Sequence, residues 1–167
     1  MRERGHVRER GLYGRFFRPA TGGPVPGVLV LGGSEGGLAS YVMREAALLA
    51  GHGFATLALA YFYIGSLPDR LAGIPLEYFG GAIRWLKDQP SVRGDRLGVV
   101  GTSRGGELAL LLGAHYPELE AVVSYAGSGF VCPSPSGQEP AWTFHGKPLP
   151  WIPNRASPYS MRSTRPL

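Results

Sequence analysis

The sequence has a single cysteine, Cys132, in 167 residues, so no intrachain disulfide can staple the fold. A reducing, cytoplasmic setting is the expectation. No run of about 18 apolar residues is present, so neither a transmembrane helix nor a membrane partner is expected. The opening "MRERGHVRER" has no apolar core of a secretory signal, and its two glutamates suit a transit peptide poorly. Cysteine and histidine clusters with zinc spacing are absent, as is a G-x-x-x-x-G-K phosphate loop. No metal or cofactor is therefore expected. Acidic residues are also scarce late in the chain, where the last aspartate is Asp95.

The net charge of +5 does not describe a basic face. Residues 1–18 hold six arginines against two glutamates, and residues 155–167 hold three arginines and no acid. Removing both ends leaves a slightly acidic body, so nucleic-acid binding is not indicated and the termini read as solvated.

What is present is the composition of a globular domain, 44% hydrophobic and 17% charged, in a length that suits one domain. Four apolar runs read as strands: "GVLVL" (27–31), "ATLALAY" (55–61), "RLGVV" (96–100) and "AVVSYAG" (121–127). They are continuous rather than alternating, the pattern of parallel strands covered on both faces. Helical periodicity separates them in 38–50 (Leu38, Val42, Ala46, Leu49), in 75–88 (Leu76, Phe79, Ile83, Leu86) and in 106–116. Strand and helix alternating predicts an α/β fold with a doubly wound, mostly parallel sheet. "VRERG" and "LYGRFFRP" suggest a further extended pair upstream. From Cys132 onward the chain holds eight of its fifteen prolines. Residues 132–167 therefore read as a surface loop or tail, or as a lid-like insertion, following a domain over 1–131.

Two segments match G-x-S-x-G, a weak signal by itself in a chain with 26 glycines. Gly101-Thr102-Ser103-Arg104-Gly105 follows an apolar strand and runs straight into "GELALLL". A strand-to-helix elbow exposes its serine hydroxyl and aims helix N-terminal amides at the reaction centre, so Ser103 is the candidate nucleophile. Gly32-Gly33-Ser34-Glu35-Gly36 is separated from its helix by two glycines, which makes Ser34 a poor elbow. Its loop suits an oxyanion hole instead. Gly33 or Ser34 would supply one backbone N–H, and Arg104 the other.

Six segments together resemble one α/β-hydrolase group: "PGVLVLGGSEGG", "LLAGHGFATLALAY", "IPLEYFGGAIRWL", "RLGVVGTSRGGELALLLG", "AVVSYAGSG" and "PAWTFHGKPLP". The group is the C-terminal domain shared by acyl-CoA thioesterases and bile acid-CoA:amino acid N-acyltransferases, related to dienelactone hydrolases. The resemblance runs over roughly residues 7–153. It implies the α/β-hydrolase fold and an acyl-serine mechanism on a small-molecule acyl thioester or ester. The transferase branch carries cysteine where this chain has Ser103, which favours hydrolysis over conjugation to an amino acid.

The resemblance also exposes a gap. This fold orders its triad as serine, acid, histidine. Downstream of Ser103 stand only Glu107, Glu118, Glu120 and Glu139, with His115 and His145. The first three glutamates and His115 read as solvated or helix-end groups, and His145 as a loop residue. His52 reads as a helix C-terminal residue. In the family the acid and histidine follow two further strands, and "NRASPYSMRSTRPL" no longer resembles it. The expectation is a hydrolase fold lacking its C-terminal strands, with impaired activity or none. The alternatives are a non-catalytic α/β domain and a dienelactone hydrolase- or carboxylesterase-like enzyme.

Overall fold

The computed structural model describes residues 2–20 and 22–152. Strands β1 (Arg2–Val7), β2 (Tyr13–Arg18), β3 (Val25–Leu31), β4 (Ala55–Ala60), β6 (Val92–Thr102) and β7 (Leu119–Tyr125) form one sheet. The order is β1-β2-β4-β3-β6-β7. The β1–β2 and β2–β4 pairs are antiparallel; β4, β3, β6 and β7 run parallel. Short strands β5 (Ile74–Pro75), β8 (Trp142–Phe144) and β9 (Lys147–Pro148) make a small second sheet.

Helices α1 (Ser40–Gly51), α2 (Leu76–Lys87) and α3 (Arg104–His115) cover the large sheet on both faces. The pleat sorts the side chains. Leu29, Leu31, Leu57, Leu59, Leu97 and Val99 join α2 and α3 in the larger core cluster. Val30, Ala58 and Val100, one residue out of step, join α1 and Phe17 in the other. Both faces of the central strands are thus apolar, which is why they read as continuous runs. In α2 the residues at helical spacing, Leu76, Phe79, Ile83 and Leu86, are all buried. The doubly wound α/β sheet expected from the alternating pattern is the one observed.

Three local expectations differ from the structure. The N-terminal pair is Arg2–Val7 with Tyr13–Arg18, not 7–11 with 12–19. Arg10 and Gly11 adopt φ of 53° and 76°, so the turn falls where the first strand was placed. Strand β7 is at the sheet's edge among the described residues, and Val122, Val123 and Tyr125 are exposed rather than covered. Its apolar run resembles that of a central strand because residue type does not encode position in the sheet. Finally, part of the proline-rich stretch is built into the core: Ala141 and Trp142 have no exposed surface, and Ser134 is buried. Residues 153–167, including the whole of the divergent tail, lie outside the described residues. Among the described residues no helix is long and apolar enough to cross a membrane.

Candidate active site

The parallel strands β3 and β6 end side by side, and both loops singled out in the sequence leave from those ends. At the end of β6 the chain turns through Ser103 and enters α3 at the next residue. Ser103 has φ 56° and ψ −118°, a left-handed-side conformation that costs an L-residue of order 1–3 kcal/mol. The surroundings impose it. The Ser103 N–H donates to Tyr125 O of β7 at 2.8 Å, while Ser103 O accepts from the Gly106 and Glu107 amides at 2.9 and 3.1 Å. The side chain is left exposed, and its hydroxyl has no hydrogen-bond partner among the described residues.

The flanking glycines are steric requirements. A Cβ on Gly101 would stand 1.9 Å from Gly105 O, and one on Gly105 would stand 2.3 Å from Gly32 O. The elbow and the 32–36 loop therefore touch backbone to backbone. Gly33 lies against the serine itself: a Cβ there would be 3.2 Å from the Ser103 Cβ. Ser103, Arg104 and Gly33 are thus brought together, with Ser34 exposed next to them.

Within the loop the hydrogen bonding separates Gly33 from Ser34. The Gly33 N–H points to Glu35 Oε1 and to the Tyr41 hydroxyl oxygen, each at 2.9 Å. Tyr41 in turn donates to Glu35 Oε1 at 2.6 Å. Ser34 has no partner among the described residues. Of the two loop amides considered from the sequence, Gly33's is already engaged and Ser34's is free. Tyr61, buried at the end of β4, donates to Gly32 O at 2.6 Å and approaches Gly33 O at 3.2 Å. Burial raises the Tyr61 pKa far above that of a free phenol, so it stays a donor.

The Arg104 side chain points away from the elbow into a buried polar node. Its Nη1 pairs with Glu107 Oε2 at 3.0 Å, and its Nη2 donates to Cys132 O and Pro133 O. Glu107 Oε1 accepts from Trp142 Nε1 at 2.7 Å and from the Cys132 amide at 3.1 Å. The guanidinium also lies 5.9 Å from the Trp142 ring centroid. Glu107 is only 2% exposed, so its expected place as a solvated group is corrected. A carboxylate can be buried here because one cation and two N–H donors converge on it. One sequence signal existed: Glu107 is three residues after Arg104 at the start of an otherwise apolar helix.

The remaining candidates are engaged elsewhere. His145 Nδ1 lies 3.5 Å from Glu77 Oε1, and its ring is mostly exposed. His115 Nδ1 meets Leu111 O, and His52 Nδ1 meets Leu48 O at the end of α1. Glu139 pairs with Arg70 at 3.3 Å. Among the described residues, then, no histidine contacts Ser103.

Comparison with known proteins matches this arrangement to one family. Residues 74–156 match the family model described as BAAT / Acyl-CoA thioester hydrolase C terminal. The mouse bile acid-CoA:amino acid N-acyltransferase is 37% identical over 148 residues, covering 89% of this chain and 33% of its own length. Mouse acyl-coenzyme A thioesterase 1 is 40% identical over 122 residues, covering 73% and 28%. The chain spans about a third of the length of these curated relatives. A dienelactone hydrolase-like promiscuous phosphotriesterase from metagenomic libraries superposes with a TM-score of 0.60 at 23% identity, covering 86% of this chain and 65% of that one. The chain has the α/β-hydrolase fold and belongs to the BAAT / acyl-CoA thioester hydrolase C-terminal family.

Proposed function

We propose that this chain carries the nucleophilic centre of a hydrolase acting on acyl thioesters such as acyl-CoA, or on related esters. The observation that carries the reading is Ser103 itself, exposed at φ 56° between β6 and α3. Such a conformation is retained only where the surroundings over-determine it, and two close glycine contacts do so here. Relatives named as acyl-CoA thioesterases supply the substrate class.

Chemically, Ser103 Oγ adds to the acyl carbonyl carbon, and its proton passes to a base. The tetrahedral oxyanion is held by the Ser34 and Arg104 amides, each donor contributing on the order of 3 kcal/mol to the transition state. The carbon–sulfur bond then breaks, the thiolate takes up a proton, and water hydrolyses the acyl-serine. Serine, not cysteine, at this position favours hydrolysis. The single free Cys132 is compatible with work in the cytoplasm.

One observation favours a second reading. No described histidine contacts Ser103 and its hydroxyl has no hydrogen-bond partner among the described residues, so the chain alone would be a non-catalytic α/β domain that binds its ligand at the same loops. A fluorophosphonate probe separates the two. On the first reading it labels Ser103, Ser103→Ala abolishes labelling, and acyl-CoA is turned over faster than simple esters. Well-folded chain that is neither labelled nor active supports the second.

A further inference from the structure

The loop "GGSEGG" contains four glycines and no internal helix or strand, so its sequence alone does not fix its backbone. An oxyanion donor must nevertheless be held to within about half an ångström. Side chains from outside the loop and from its far end provide the constraint. Tyr61 fixes the Gly32 and Gly33 carbonyls. Glu35 and Tyr41 jointly accept the Gly33 N–H, and the Tyr41 proton is directed to Glu35. Burial, and then the Glu35 hydrogen bond, push the Tyr41 pKa up to about 12, so it remains a donor to the carboxylate at neutral pH. A carboxylate is a stronger acceptor for that amide than a neutral group. The next amide along, Ser34's, makes no hydrogen bond among the described residues, in a loop whose Gly33 lies against Ser103.

Resting on Ser103 as the nucleophile, we propose that Glu35 and Tyr41 are positioning residues. By clamping the Gly33 amide they hold the loop so that the Ser34 N–H is its donor to the oxygen of a substrate bound at Ser103. Neither residue touches the reacting atoms. Glu35 therefore needs only an acceptor oxygen for this work, and a glutamine retains one.

The test uses the full chain and two readouts. In the first, the Gly33 amide signal in ¹⁵N-labelled protein shifts in Glu35→Ala and in Tyr41→Phe. In the second, the rate of fluorophosphonate labelling of Ser103 falls about tenfold or more in Glu35→Ala at unchanged thermal midpoint, while Glu35→Gln stays within about threefold of wild type. Labelling of Glu35→Ala at the wild-type rate overturns the positioning role while leaving the nucleophile in place. A wild-type chain that is not labelled overturns the nucleophile and this role with it. A Gly33 signal indifferent to both substitutions overturns the clamp itself, whatever the labelling shows.

Discussion

Replacing Glu107 with alanine tests the buried node at the start of α3. The substitution removes one carboxylate and leaves three donors behind: Arg104 Nη1, Trp142 Nε1 and the Cys132 amide. Arg104 retains Cys132 O and Pro133 O but loses its counter-charge at a site where its side chain is 13% exposed. Removing one partner of a buried ion pair costs about 3–5 kcal/mol, and the orphaned indole N–H adds to that end of the range. An expected loss of about 4 kcal/mol is a large share of the roughly 5–15 kcal/mol typical of a domain. For a chain of this size it corresponds to a fall in melting temperature of roughly 8–16 °C. Glu107→Gln keeps an acceptor for Trp142 and Cys132 and should lose about half as much. Urea unfolding followed by circular dichroism measures both variants. If Glu107→Ala lies within about 1 kcal/mol of wild type, the carboxylate is solvated and the burial argument fails.

Three further outcomes follow from the same geometry. Gly105→Ala places a methyl 2.3 Å from Gly32 O and 2.6 Å from Leu31 O, both backbone. It should cost about 3 kcal/mol or more in urea unfolding and suppress Ser103 labelling, because the two loops must separate. Tyr41 should ionise near pH 12, after the exposed phenols, in an ultraviolet difference titration. Its folded pKa is raised, so its contribution to stability is complete below about pH 10 and is lost as pH rises towards 12. Burial pushes the Cys132 thiol up, so its alkylation by iodoacetamide at neutral pH should be slower than that of a free cysteine peptide. A rate equal to the peptide's would contradict its placement beside Glu107.

Much of this protein was legible because the relevant physics is local or periodic. The central strands announced themselves as unbroken apolar runs, since both faces of β3, β4 and β6 are covered. The helical face of α2 followed from a spacing of three and four residues. The position of Ser103 was readable because an elbow needs a strand, small flanking residues and a helix in immediate succession. What failed was whatever depends on neighbours distant in sequence. The exposure of β7 reflects its position at the sheet's edge, and its residues carry no mark of that position.

The sequence by itself determined the α/β alternation, the elbow around Ser103 and the pairing of that elbow with a glycine-rich loop. The tertiary structure decided the rest. It brought Gly33 against Ser103, because adjacent parallel strands end at the same edge of the sheet. It gave the Gly33 amide to Glu35 and Tyr41 and left Ser34's open. And it buried Glu107, because Arg104, Cys132 and Trp142, spread over 39 positions, converge on one carboxylate. Apart from the i,i+3 pair of Arg104 and Glu107, these contacts join residues whose spacing follows no period, so composition and pattern do not announce them.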